Sequence, residues 1–158
     1  MKYQDQIVRS TRMALDDLFR TAKAVPPDKI EWKPLEEGRS VLDQLQECAQ
    51  APVWFRSVLE ERACPPFDEE KWKQALIERK KWNTIEKCEE AARENTEKLF
   101  ETIQNFSDED LDVMVHFPFQ EGFLRSIADI MGFHYWNLVY HTGQINYIQT
   151  LYGDKEMH

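Results

Sequence analysis

The chain has 158 residues and a formal net charge of −9, with 29 acidic residues against 20 Lys and Arg. Its length suits a single domain, residues 1–158, and its 42% hydrophobic and 31% charged residues are typical of a soluble globular protein. We expect no nucleic-acid partner, because phosphate binding needs a basic patch, and the same sign of charge disfavours an acidic membrane surface.

The N-terminal residues and the cysteines indicate the cellular compartment. No uncharged apolar run approaches the roughly 20 residues of a membrane-spanning helix, and the first five residues do not begin like a signal peptide. The three cysteines have no Cys-x-x-Cys spacing and fit reduced thiols better than disulfides. We therefore expect a cytoplasmic protein without a membrane partner.

Helix one is predicted from about Tyr3 to Ala24, where apolar residues recur every three or four positions. Two consecutive prolines, beginning at Pro26, end this helix. Residues 26–39 hold three prolines and a glycine, a composition typical of a connection. The link between the first two helices is therefore long.

Helix two is predicted to begin after Ser40, which can cap its N terminus, with Asp43 as an acidic partner in a capping box. Pro52 lies inside this helix and cannot donate a hydrogen bond to the carbonyl of Cys48, so we expect a kink there. The kink either bends the helix around the core or shapes a cavity near Glu47.

Residues 63–83 contain two prolines and many charges, which indicates a surface connection with one short amphipathic helix. Thr84 then caps helix three, whose apolar residues keep helical spacing as far as Phe106. The charged residues of this helix form a solvated face.

Residues 107–122 contain a proline and a glycine and alternate weakly between apolar and polar, which indicates an irregular or locally extended crossing. Helix four is predicted to start between Phe123 and Ser126 and to end near Tyr152, before Gly153. Four long amphipathic helices without a convincing strand pair predict an all-α four-helix bundle. The long links between helices one and two and between three and four leave its topology open.

Helix four carries the polar residues that could perform chemistry. His134, Asn137 and His141 share one helical stripe, yet aromatic and aliphatic residues surround them. A helix this apolar belongs inside a bundle, where an unpaired polar group costs about 1–3 kcal/mol. These side chains therefore need a partner, which could be each other, a water, a metal or a ligand.

His141 is the best candidate metal ligand, because a neutral imidazole is the commonest protein ligand for divalent transition metals. Asn137 lies one turn earlier and can reach the same ion, whereas His134 lies about 10.5 Å away along the axis. Glu47 could bring a carboxylate across from helix two. Each residue also has a purely structural interpretation: a core histidine for His141, a structural or interface role for His134, an interhelical amide for Asn137 and a solvated carboxylate for Glu47.

Two segments resemble the DinB-like superfamily. The residues His141-Thr142-Gly143-Gln144-Ile145 resemble the closing signature of that family, a histidine followed by a segment of the form Arg-Gly-Gln-Ile. The residues Arg39-Ser40-Val41-Leu42, after a link that holds Trp32 and Pro34, are similar to the usual start of its second helix. The resemblance implies a four-helix bundle, often dimeric, with a divalent metal held by one histidine on helix two and two on the last helix.

Carried onto this sequence, the resemblance matches His141 to the final histidine, with Asn137 and Glu47 in place of the other two. Both replacements can donate oxygen, so the resemblance implies a metal site of these three residues. Such a site is weaker for zinc than three histidines and no worse for iron, manganese or nickel. Alternatively the metal is lost, and Glu47 pairs directly with His141 as carboxylate and imidazolium.

The resemblance further implies a homodimeric, divalent-metal-dependent enzyme acting on a small molecule, either a hydrolase or a transferase that uses a low-molecular-weight thiol. A divalent ion lowers the pKa of a coordinated water or thiol, and His134 or Tyr140 is our candidate catalytic proton donor. A cysteine nucleophile is not expected, because burial of Cys48 disfavours its thiolate. The alternative is a non-catalytic bundle that has lost the metal and dimerises or binds a small ligand.

Overall fold

The computed structural model describes Met1–His158 and consists mainly of helices. Six of them follow one another along the chain: α1 (Tyr3–Lys23), α2 (Val41–Glu61), α3 (Glu69–Arg79), α4 (Ile85–Gln104), α5 (Ile127–Met131) and α6 (Phe133–Leu151). The long helices α1, α2, α4 and α6 form the predicted four-helix bundle, which is confirmed. The predicted short helix in the link before α4 is α3. No helix combines the length and the apolar character that crossing a membrane requires.

Hydroxyl side chains cap two of the long helices as predicted. Ser40 Oγ accepts a hydrogen bond from the backbone N–H of Asp43 at 3.1 Å, and Thr84 caps α4 in the same way through the N–H of Lys87. The capping box at α2 is not formed, because the carboxylate of Asp43 instead binds the guanidinium groups of Arg39 and Arg79.

A two-stranded antiparallel sheet lies between α4 and α5, with β1 (Met114–Phe117) paired to β2 (Phe123–Ser126). The expectation that the chain lacks a strand pair is therefore wrong, although the extended crossing was predicted. The hairpin forms because Val115 and Phe117 are each buried against the end of the bundle, while their neighbours on β1 face solvent. Gly122, at φ +80°, closes the turn in a backbone conformation that side chains disfavour.

The helix predicted to start between Phe123 and Ser126 starts one residue later, at Ile127, where the side chain of Ser126 caps α5. Residues 123–126 form β2 instead. Gly132 then separates the five-residue α5 from α6, so the predicted single helix is two. Tertiary contact with β1 stabilises an extended conformation in a segment too short for its apolar pattern to distinguish strand from helix.

The core has two parts. One cluster of 17 buried residues joins the middle of all four long helices, and Leu18, Leu45 and Leu138 are completely buried within it. A second cluster of 11 buried residues lies where the hairpin and α5 cover one end of the bundle. The inward stripe of α6 packs against the first cluster, which brings its polar residues next to α2.

Candidate functional site

Three of the predicted site residues meet between α2 and α6. Asn137 and His141, four residues apart on α6, both face inward and are only 7% and 2% exposed. Across from them, Glu47 Oε1 on α2 lies 3.1 Å from His141 Nε2 and 3.5 Å from Asn137 Nδ2. The carboxylate therefore links the imidazole to the carboxamide.

The second ring nitrogen of His141 contacts a residue that is absent from the predicted site. His141 Nδ1 lies 3.0 Å from Oε1 of the buried Gln44. Gln44 lies one turn before Glu47 on the inward stripe of α2, and this spacing was the signal that could have identified it. Both nitrogens of the imidazole thus face an oxygen atom.

This geometry requires a positive charge or a turned amide. If the Nδ1–H donates to Gln44, the neutral ring directs an Nε2 lone pair at the carboxylate of Glu47, and the two atoms repel unless a cation or a second proton lies between them. If the Gln44 amide is turned to donate its NH₂ to Nδ1, the ring proton lies on Nε2 and bonds to Glu47. A metal ion, an imidazolium or a turned amide each satisfies the contacts.

A chain of ion pairs runs from Glu47 to α3. Arg39 Nη2 lies 2.7 Å from Glu47 Oε2, the oxygen that does not face His141. Arg39 Nε is 2.6 Å from Asp43 Oδ2, and Arg79 Nη2 is 2.7 Å from Asp43 Oδ1. Asp43 is therefore shared between two arginines, and Glu47 is shared between Arg39 and the two polar side chains of α6.

The surroundings of Glu47 keep its carboxylate ionised. The hydrogen bond with His141 and the charge of Arg39 lower the pKa of Glu47 to about 2, although partial burial acts in the opposite direction. The side chain is 34% exposed, so solvent reaches the site from this side. At neutral pH the carboxylate of Glu47 is therefore ionised.

Only one contact at Glu47 has the spacing of two metal ligands. Atoms bound at about 2.1 Å to one ion lie about 3.0 Å apart in an octahedral site and about 3.4 Å apart in a tetrahedral one, and Glu47 Oε1 lies 3.1 Å from His141 Nε2. The Asn137 atom that faces Glu47 is the amide nitrogen, which does not coordinate a metal. Asn137 Oδ1 is buried without a hydrogen-bond partner, and rotation of the amide would direct this oxygen toward Glu47. The structure holds no cluster of three His, Cys, Asp or Glu side chains suited to a metal.

His134 contacts a different set of residues. It is completely buried, its Nε2 lies 2.9 Å from Thr96 Oγ1 on α4, and its ring packs near that of Phe55. Burial lowers the pKa of His134 to about 3, so the imidazole is neutral at physiological pH. The structure does not bring His134 to Glu47 and His141, and its catalytic role stays a prediction.

The buried cysteines remain thiols. Burial raises the pKa of Cys88 to about 12 and also raises that of Cys48, next to Glu47 in the chain. Neither is a nucleophile at neutral pH.

Two surface grooves lie away from this chemistry. One of about 260 Å³ runs between α1 and α6 and is lined by residues such as Met13 and Tyr135, and the other, of about 340 Å³, follows α1. Neither is lined by Glu47, Asn137 or His141.

Residues 9–145 match the sequence model of the DinB superfamily. The chain is a member of the DinB superfamily. No curated protein matches this DinB chain. Among solved structures, the fold is similar to that of YfiT from Bacillus subtilis, which is described as a probable metal-dependent hydrolase with an unusual four-helix bundle topology. The two sequences are 12% identical, and the TM-score is 0.76 over 95% of this chain and 87% of YfiT.

Two further structures have the same fold. The DinB-like protein YjoA from Bacillus subtilis is 16% identical, with a TM-score of 0.67 over 97% of this chain and 96% of YjoA. The colibactin self-resistance protein ClbS, in complex with double-stranded DNA, is 13% identical, with a TM-score of 0.67 over 93% of this chain and 95% of ClbS. At these identities the similarity establishes the fold alone.

The complex of ClbS corrects the predicted partners. The prediction of no nucleic-acid partner, which was made from the net charge of −9, is wrong, because a protein of this fold is in complex with double-stranded DNA. Net charge averages over the whole surface, whereas phosphate binding depends on the local arrangement of basic groups. The net charge of this chain therefore does not exclude a nucleic-acid partner.

Proposed function

We propose that this DinB protein is a divalent-metal-dependent hydrolase acting on a small molecule, with Glu47, Asn137 and His141 as its metal ligands. The observation that carries the proposal is the convergence of three polar side chains from two helices: Glu47 Oε1 lies 3.1 Å from His141 Nε2 and 3.5 Å from the amide nitrogen of Asn137, whose oxygen would have to turn toward the ion. The unpartnered Oδ1 of Asn137 supports it, since a buried oxygen without a partner costs about 1–3 kcal/mol. The description of YfiT as a probable metal-dependent hydrolase gives further support.

The side chains around these ligands have separate tasks. Gln44 orients His141 by accepting a hydrogen bond from Nδ1, which leaves the Nε2 lone pair for coordination. When bound, a divalent ion lowers the pKa of a coordinated water and polarises a carbonyl group. The exposed side of Glu47 leaves an approach from solvent to this point.

Two aromatic rings beside the ligands favour an organic substrate. Trp136 and Tyr140 are exposed on α6 and stack with their ring centroids 5.2 Å apart, and the Tyr140 ring contacts that of His141 edge-on. Such rings offer apolar surface to the non-reacting part of a small molecule. Transfer to a low-molecular-weight thiol would use the same ligands and stays a prediction.

Metal content and hydrolysis test the proposal together. Protein treated with chelator and then supplied with Mn²⁺, Ni²⁺ or Zn²⁺ is assayed by elemental analysis and against a panel of chromogenic esters and amides. We expect one ion per chain and metal-dependent hydrolysis in the wild type, and loss of both in His141→Ala. The matched control is His116→Ala, which removes an exposed histidine of β1. We expect it to leave the metal content and the rate of hydrolysis unchanged. No bound ion at any supply, with helical content intact, would refute the proposal.

A second candidate function follows from Arg39. Its contact with Glu47 Oε2, together with the 3.1 Å contact between Glu47 Oε1 and His141 Nε2, favours a metal-free module in which an imidazolium completes the pair. The protein would then be a non-catalytic binding bundle. Nitrogen NMR of His141 distinguishes the two cases, because an imidazolium is protonated on both nitrogens, whereas a coordinated ring shows a shift that changes with the added metal.

A further inference from the structure

We propose that the outer face of α6 is the surface through which two copies of this chain pair. This face consists of the exposed residues of α6 that point away from the bundle core: Trp136, Val139, Tyr140, Gly143, Tyr147 and Leu151. Charged residues make up 31% of the chain, yet the 19 residues of α6 include no Asp, Glu, Lys or Arg. Because a solvated helix face usually carries charged side chains, the absence of charge here indicates a surface that another molecule covers.

The side chains on the outer face of α6 are large and apolar. Trp136 and Tyr147 are 64% and 66% exposed, and Val139, Tyr140 and Leu151 are each between 46% and 49% exposed. Since a large aromatic side chain can bury about 150–250 Å², the face offers on the order of 600 Å². A standard protein–protein interface buries about 800 Å² on each partner, and its centre is rich in Trp and Tyr and poor in charge. The outer face of α6 therefore supplies most of the area that a stable dimer needs.

The spacing of these side chains is self-complementary. If two copies of α6 pair antiparallel about a two-fold axis next to Gly143, Tyr140 of one copy lies beside Tyr147 of the other. The same axis brings Trp136 next to Leu151 of the second copy. Because each copy has a net charge of −9, contact through an uncharged face keeps like charges out of the interface.

Gly143 lies at the centre of this face and has no packing role within one copy. A Cβ added at this position would meet no atom within 4 Å, so nothing in the chain itself requires a glycine there. Glycine destabilises a helix interior relative to alanine, and close approach of a second helix accounts for its presence. Because the ring of Tyr140 contacts that of His141 edge-on, Tyr147 of the second copy would border the candidate site.

Sedimentation equilibrium over a wide range of protein concentrations, with chelator present, tests the pairing. We expect the wild type to form a dimer. Tyr147→Glu places a carboxylate opposite Tyr140 in both halves of the interface and should weaken the dimer by about a hundredfold or more. Gly143→Leu adds a side chain at the centre of the interface without a clash inside the chain, and should weaken the dimer to a similar extent. The matched control, Trp72→Glu, changes a half-exposed aromatic residue of α3 and should leave the dimer unchanged.

Three results would overturn the pairing. These are a wild type that stays monomeric at every concentration, a dimer that both Tyr147→Glu and Gly143→Leu leave intact, and a monomer that binds phosphatidylcholine vesicles through this face. If Tyr147→Glu fails to fold by circular dichroism, Gly143→Leu gives the same readout. Pairing goes beyond the function proposed above and needs no metal, so its failure leaves the proposed hydrolase untouched.

Discussion

Replacement of Glu47 by glutamine should destabilise the fold in a pH-dependent way. The pKa of Glu47 falls from an ordinary value of 4.5 to about 2 in the folded chain, because of the hydrogen bond with His141 and the charge of Arg39. In full, such a difference contributes about 3 kcal/mol at pH 7. The side chain is 34% exposed, however, and solvent screening reduces the expected contribution to about 1–2 kcal/mol.

The direction of the pH dependence follows from the lowered pKa. Because the folded state binds the proton less readily than the unfolded state, the contribution is complete above about pH 5 and is lost as the pH falls from 4.5 toward 2. Glu47→Gln should therefore be less stable than the wild type by about 1–2 kcal/mol at pH 7, and the difference should shrink by pH 3.5.

Urea unfolding followed by circular dichroism at pH 7, 5, 4 and 3.5, with chelator present, measures this difference free of any metal contribution. The matched control is Glu60→Gln, which removes an exposed carboxylate paired with Arg56 on the same helix and should change stability by less than about 0.5 kcal/mol. A difference between Glu47→Gln and the wild type that does not vary with pH would refute the reasoning, as would a variant as stable as the wild type at pH 7.

Three other substitutions test separate parts of the structure. Gln44→Leu removes the side chain that bonds to His141 Nδ1 and should lower the affinity for added Mn²⁺, measured by calorimetric titration, by about tenfold or more. Thr96→Val removes the hydrogen-bond partner of the buried His134 and should cost about 1–3 kcal/mol in urea unfolding, with metal affinity unchanged. Phe117→Ala opens a cavity under the hairpin and should cost about 3–5 kcal/mol by the same measurement.

Opposite results would have specific meanings. Unchanged metal affinity in Gln44→Leu would show that His141 needs no orienting partner. A loss of metal affinity in Thr96→Val would connect His134 to the site. A cost below about 1 kcal/mol for Phe117→Ala would contradict packing of the hairpin on the bundle, and the exposed Met114→Ala on the same strand is its control.

Local sequence signals predicted the helices well. Ser40 and Thr84 mark the starts of α2 and α4 correctly, because a capping hydroxyl bonds to a backbone N–H three residues away and needs no distant partner. The hairpin was missed because its four-residue strands are too short for a period of two to be decisive. Their conformation depends on burial of Val115 and Phe117 against the end of the bundle.

In the candidate site as well, local spacing predicted some features, and long-range contacts decided the others. The sequence alone determined that Asn137 and His141 share a face of the last helix, since helical geometry places residues four apart side by side. Only the tertiary structure decided that Glu47 reaches them, that Gln44 supports the imidazole, and that Arg39 occupies the outer oxygen of the carboxylate. These contacts join different helices, and which faces meet depends on the packing of the whole core rather than on any local spacing.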